Sequence, residues 1–436
     1  MYQLSSSTTV ITTILAISLL IVTAKIFALV FKRIKLPEVI GEILAGVIFG
    51  PFAIGGLLVL AGEPLFSGPV NENFVLETFF EIGGMILLFS AGLEFTFKQF
   101  RKAGLPSFVI GTAGVVIPFI LGYYGSIFVG FSSTESLLIG AALTATSIAI
   151  TIRTLEELDQ LKNKESQIMV YAAVVDDVLG LTLLGVVLAI ASTGIIPEIA
   201  SVLSTTVFTL SLWIALLLGS VYFLPKFLDF VTNLTGELKL TEDSEKHPQS
   251  PSTIETLAIF IILVWGAIAV YMGLSPIVGT FAAGMALAGS RYKHQIEIFI
   301  SHIRIIFAPL FFAYVGAQIN LAEILGIDLF AFGLILALAM IGKLLGCGIP
   351  GYIFLRNRIQ AQRIGIGMAS RGEVGIVIAG IGYASGLIDS YSYAVLMGVI
   401  MVTTVVSPIL LRLMSGDVPD ADNVRTKKKK SEYIKN

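Results

Sequence analysis

Apolar runs of about 20 residues, long enough to cross a bilayer, recur along the whole chain with short polar stretches between them. They predict thirteen spans, at 8–31, 37–58, 74–96, 105–130, 135–156, 165–191, 197–223, 253–271, 274–290, 295–319, 328–355, 361–386 and 390–414. The run 274–290 is short, and 37–58 is interrupted by Gly41, Gly46, Gly50 and Pro51. Charge alternates between the loops. Those after spans 1, 3, 5, 7, 9 and 11 hold "KRIK", "KQFRK", "ELDQLKNK", the stretch from Lys226 to Lys246, "RYK" and "RNRIQAQR", and the C-terminal tail adds "RTKKKK". The alternate loops (59–73, 131–134, 192–196, 272–273, 320–327 and 387–389) contain no lysine or arginine. Lysine and arginine favour cytoplasmic loops, and a miscounted span would break the alternation. The pattern therefore predicts an outside N-terminus and a cytoplasmic C-terminus. The polar loop 224–252 divides the chain. The charged tail from about 416 is expected to be flexible and too short for a folded regulatory domain.

Composition agrees. Of 436 residues, 56% are hydrophobic and 13% charged, with mean hydropathy +0.90. A soluble domain carries about a quarter charged residues. The net charge of −2 comes with no basic domain, so nucleic acid is not an expected partner. One cysteine, Cys347, excludes an internal disulfide and a multi-cysteine metal site. Three scattered histidines (His247, His294 and His302) do not make a metal cluster. The N-terminal "MYQLSSSTT" lacks the basic region of a signal peptide, so the first run reads as a retained span.

The two halves repeat. Span 2 reads "PEVIGEILAG" (37–46) and span 9 reads "PIVGTFAAG" (276–284). Span 3 holds "LLFSAGLE" (87–94) and span 10 holds "LFFAYVGAQ" (310–318). Each pair lies seven spans apart. An odd offset makes the second copy run through the membrane inverted, a common plan in secondary transporters.

Polar residues at span centres carry the candidate chemistry, because a charge there costs about 2.5–3.5 kcal/mol on insertion scales. Asp176 and Asp177 adjoin in span 6. Neighbours on a helix diverge by about 100°, so one can line a cavity while the other pairs sideways. Two acids this close cannot both ionise freely in a low dielectric. Bare, each offers hard oxygen ligands to a small cation, so proton and cation compete for the same atoms. Lys343, in "MIGKLLG" of span 11, is suited to neutralise an aspartate, and a cation could displace it. "LTATSIAI" (143–150) and "ASRGEVG" (369–375) lie in spans 5 and 12, again seven apart. Both are expected to be discontinuous helices whose ends face each other, with Ser147 and Ser370 at the breaks, Arg371 offsetting open carbonyls and Glu373 beside it. Glu38, Glu42, Glu81 and Glu94 fit either gating or snorkelling to an interface.

On "PEVIGEILAGVIFGP", "LLFSAGLEF", "TATSIAI", "VVDDVLG", "GKLLG" and "RGEVG", which together cover roughly 35–415, the chain resembles the cation:proton antiporter superfamily, close to its Nap-type branch and related to the Kef-type one. The resemblance implies an all-α membrane fold with two inverted repeats and crossing broken helices. It implies a homodimer, with a dimerisation panel from 1–104 and 253–327 and a mobile core from 105–191 and 328–415. The segment 192–252 links the halves, and 416–436 is a cytoplasmic tail. It further implies that Asp177 is the essential ion-binding carboxylate and that Asp176 pairs with Lys343. Thr146 of the crossing helps bind the ion, so Na⁺ would sit at Asp177, Asp176 and Thr146. Kef-type members usually carry a cytosolic nucleotide-binding domain, of which this chain has no fingerprint, and that tilts the reading toward sodium.

The expectation is a secondary antiporter in the plasma membrane, not an enzyme. It would exchange cytoplasmic Na⁺ (or Li⁺) for external H⁺ by alternating access, electrogenically, without a cofactor. Potassium/proton exchange, with a separate cytosolic regulatory subunit, is the alternative. An uncoupled channel ranks behind both, since no filter sequence repeats.

Overall fold

The computed structural model describes residues 2–60, 63–66, 68–70, 73–193, 199–235, 253–320, 322 and 326–415. The expected flexible tail, and the part of the dividing loop at 236–252, lie outside the described residues. The described chain is helical apart from a two-residue antiparallel ladder that pairs Val59 with Pro64 and Leu60 with Glu63. In chain order the helices are α1 (Tyr2–Arg33), α2 (Glu38–Phe49), α3 (Phe74–Leu93), α4 (Phe97–Phe128), α5 (Ser133–Thr144), α6 (Ile148–Glu157), α7 (Lys164–Thr193) and α8 (Ile199–Thr235). There follow α9 (Thr253–Tyr271), α10 (Pro276–Leu287), α11 (Lys293–Ala317), α12 (Leu329–Lys343), a π turn at Leu344–Gly348, α13 (Ile349–Leu355), α14 (Arg358–Gly367), α15 (Glu373–Ala384) and α16 (Ser390–Ser415).

Among the described residues, eleven helical segments are long and apolar enough to cross a membrane. Two further apolar helices are shorter, at Pro276–Leu287 and Val374–Tyr383. They fall where the apolar pattern puts spans 9 and 12. Helix starts follow the sequence closely. Asn73, Thr96, Ser132, Ser147, Asp328 and Asn357 each cap a helix with a side-chain oxygen. Such a cap typically contributes about 1 kcal/mol. Thr96 with Gln99, and Ser132 with Glu135, form full capping boxes.

The largest boundary difference from the apolar pattern is at span 7. Span 7 is expected to stop at 223, yet α8 continues to Thr235. Its extension is amphipathic: Leu224, Leu228 and Thr232 recur at one-turn spacing and are buried, while Lys226 and Asn233 are exposed. Average hydropathy falls over this stretch, but the helical stripe does not stop.

The helices pack in two groups. α1, α2, α3, α9, α10 and α11 pack mainly on one another, and α4, α5, α7, α12, α15 and α16 do the same. α8 rests on α10 and touches α7 and α9. α6 lies at the meeting of the groups, against α2 and α3 on one side and α7 and α16 on the other.

Small residues permit the closest crossings. A Cβ on Gly46 would lie 1.8 Å from the Ala313 carbonyl oxygen, and one on Gly316 would lie 1.9 Å from that of Ile43. α2 and α11 thus meet backbone to backbone, as is usual where helices associate in lipid. Gly316→Val is expected to destabilise the protein by about 3 kcal/mol or more, read as a lower melting temperature of the detergent-purified protein. Gly104→Ala, with no atom within 4 Å of the new Cβ, should leave stability unchanged or raise it by about 0.5–1 kcal/mol.

Candidate functional site

The two sequence stretches with hydroxyls and glycine at mid-span are where the backbone leaves helical geometry. α5 ends at Thr144 and α6 begins at Ile148, leaving 145–147 unwound. α14 ends at Gly367 and α15 begins at Glu373, with an irregular stretch between them. The breaks bind each other. The Ser147 N–H donates to the Ser370 carbonyl at 2.9 Å, and the Thr146 hydroxyl donates to the Met368 carbonyl at 3.0 Å. Thr151 donates to the Gly367 carbonyl at 2.8 Å and meets the Ser370 hydroxyl at 2.9 Å. Backbone groups freed by a break must find partners away from water, and here each break supplies them to the other.

Arg371 is fully buried among these groups. Its guanidinium donates to the carbonyls of Ala369, Leu143 and Ala339. These are carbonyls at or near helix C-termini, where a positive charge is favoured. The Thr404 hydroxyl of α16 donates to the Arg371 carbonyl. Glu373 opens α15; its side chain lies outside the described part of the structure.

The acid pair sits on α7. Asp176 accepts a hydrogen bond from Lys343 Nζ at 2.8 Å, and both side chains are completely buried. The second oxygen, Oδ2, is buried without a hydrogen-bond partner among the described residues. Lys343 ends α12 and is followed at once by the π turn. Single π turns inside helices are frequent at functional sites. Gly114 of α4 leaves room for the pair: a Cβ there would lie 3.5 Å from Asp176 Oδ1, 3.7 Å from Lys343 Nζ and 2.6 Å from Cys347 Sγ.

The two acids face different neighbours. Asp176 shares a stripe with Gly180, whose Cβ position lies 3.8 Å from the Thr144 hydroxyl at the end of α5. That stripe meets the crossing. Asp177 is 7% exposed and shares its stripe with Leu181 and Gly185. Those two line a crevice of about 350 Å³ between α7 and α8, together with Thr182, Thr205 and Thr209.

The structure therefore gathers Thr146, Ser147, Ser370 and Arg371 at the crossing and joins Asp176 to Lys343 next to it. Gly114, Thr151 and Thr404 belong to the same constellation and escaped sequence reading. Thr151 stands one turn after Ser147, a usable signal. Gly114 and Thr404 give none, because small and hydroxyl residues are common in apolar helices.

The transmembrane sodium/hydrogen exchanger family model matches residues 17–415. The chain belongs to the sodium/hydrogen exchanger family. Members are multi-pass membrane transporters. The chain is 31% identical to the high-affinity Na⁺/H⁺ antiporter NhaS3 of Synechocystis, over 92% of this chain and 89% of that one. It is 27% identical to the Na⁺/H⁺-K⁺ antiporter GerN of Bacillus cereus, over 92% and 95%. The sodium proton antiporter MjNhaP1 of Methanocaldococcus jannaschii has the same fold, with TM-score 0.64 at 16% identity, covering 94% of this chain and all of that one.

In an exchanger fold the buried pair has a stability signature. Lys343→Met leaves Asp176 buried without its partner and should cost about 3–5 kcal/mol. Adding Asp176→Asn should restore most of that loss. Melting temperatures of the two variants in detergent check this.

Proposed function

We propose that this exchanger moves cytoplasmic Na⁺ (or Li⁺) out in exchange for external H⁺ by alternating access. The observation that carries the reading is the adjacent acid pair, with Asp176 held by Lys343 and Asp177 on the stripe that faces the crevice. Family membership and the sodium/proton relatives support it. Asp177 binds the ion or a proton. Thr146 and Asp176, whose Oδ2 is unsatisfied, complete the Na⁺ site. A cation that draws Asp176 toward it breaks the Asp176–Lys343 pair. The pair carries a second proton-exchanging group, and more than one proton moved per sodium makes the cycle electrogenic. Ser147, Ser370 and Arg371 hold the crossing that frames the site, and Glu373 completes its charge balance.

The transporter lies in the plasma membrane with its N-terminus outside and its Lys/Arg-rich loops in the cytoplasm. It acts as a homodimer through the group containing α1–α3 and α9–α11, and the other group moves against it. It is not an enzyme and needs no cofactor. A second reading, exchange of K⁺ for H⁺ with or without a separate cytosolic subunit, draws on the relative named a Na⁺/H⁺-K⁺ antiporter.

Two variants separate the roles. Asp177→Asn should reduce cation-dependent proton flux in sealed vesicles to that of protein-free vesicles. Asp176→Asn should leave slower exchange that moves no net charge, so clamping the membrane potential no longer changes its rate. Robust flux through Asp177→Asn would remove the mechanism.

A further inference from the structure

α6 is joined to the crossing at one end and to the opposite helix group at the other. Ser147 caps its N-terminus, and Thr151 binds the second break. Its last turns carry Arg153, Glu156 and Glu157, and the loop beyond carries Lys162. Every one of these four contacts the other group. Arg153 lies 3.5 Å from Glu38 and 3.8 Å from Glu42 of α2, while its Nε lies 3.0 Å from Glu157. Glu157 accepts from the backbone N–H of Glu38 at 2.6 Å. Glu156 pairs with Arg304 of α11 at 2.8 Å, and Arg304 also donates to Ser90 of α3 at 3.2 Å. Lys162 lies 3.5 Å from Glu94, just after α3.

Most of these side chains are shielded: Glu42 is fully buried, and Arg153, Glu156 and Glu157 are less than one-fifth exposed. Their attraction is less screened than that of surface pairs. The ion pairs lie near the start of α7, whereas the crevice is lined by residues 181–189 near its other end. Asp176 and Asp177 stand between. The crevice thus lies toward one side of the acids and the ion pairs toward the other.

Resting on the alternating-access reading, we propose that Arg153, Glu156, Glu157 and Lys162 form an ion-pair gate with Glu38, Glu42, Arg304 and Glu94. The gate closes the Lys/Arg-rich side of the transport path and positions the crossing through α6. Ten residues of helix, about 15 Å, connect gate and crossing. Opening the path on this side must break the pairs, so they set the resting preference between the two access states. Arg153 and Arg304 are positioning residues: they touch no transported ion and act through α6.

The test uses full-length protein carrying Ser90→Cys, a position inside the gate, in inverted membrane vesicles with a membrane-impermeant maleimide. The parent chain, whose one cysteine is buried, gives the background. Glu156→Gln should raise the labelling rate about fivefold or more, the effect of losing roughly 1 kcal/mol of closure. Arg304→Gln should do the same from the α11 side. The charge-exchanged pair Glu156→Arg with Arg304→Glu should return labelling to the slow rate. The KM for Na⁺ on that side should fall in Glu156→Gln, because the open state is more populated, with a smaller change in kcat. Unchanged labelling in both single variants, or fast labelling in the charge-exchanged pair, would overturn the gate. Labelling needs no transport. Gate-dependent labelling in vesicles that show no cation/proton exchange would keep the gate and defeat the exchange reading instead.

Discussion

The Asp176–Lys343 pair is the constraint around which the rest of the molecule is arranged. Two opposite charges lie fully buried in a helical core, where either alone would be costly. Their attraction offsets much of that cost, and the surroundings make the geometry attainable. Gly114 keeps α4 from filling the space, and the π turn after Lys343 interrupts regular winding beside the pair. The arrangement is incompletely satisfied: one carboxylate oxygen has no hydrogen-bond partner among the described residues, and a second acid adjoins. A site that stabilised its charges completely would have no reason to release them.

The crossing beside the pair follows from the same economy of polar groups. Two helices break, and each gives its freed donors and acceptors to the other, with Arg371 taking three carbonyls at once. The broken stretches are stable in an apolar interior without becoming regular helix. α6 runs from one break to the ion pairs on α2 and α11, and so links the crossing to the contact between the two helix groups.

Much of the fold was legible because lipid imposes a simple rule, about 20 apolar residues for each crossing. It failed locally where helix outlasts hydropathy, as in α8 beyond Leu224, and it had no means of placing one helix beside another. The site was legible as a set, since Asp176, Asp177, Lys343 and Arg371 each violate the apolar pattern of their spans. The partners of Glu38, Glu42 and Glu94 were not. Each reads equally well as an interface residue, and only the folding of α6 against α2 and α3 brings Arg153 and Lys162 to them. Gly114 and Thr404 were invisible for a different reason: their contribution is room or a single hydroxyl, which sequence does not distinguish from ordinary helix packing.

Coupling of a monovalent cation to protons at this site is the function proposed for the exchanger. It is tested most directly with purified wild-type protein in proteoliposomes holding an inside-acid gradient. A pH dye is followed as Na⁺, Li⁺ and then K⁺ are added outside, with and without a clamped membrane potential. Rapid dissipation of the gradient by Na⁺ or Li⁺, at a rate that the clamp alters, is the expected result. Folded protein that moves no protons in response to any of the three cations would contradict it.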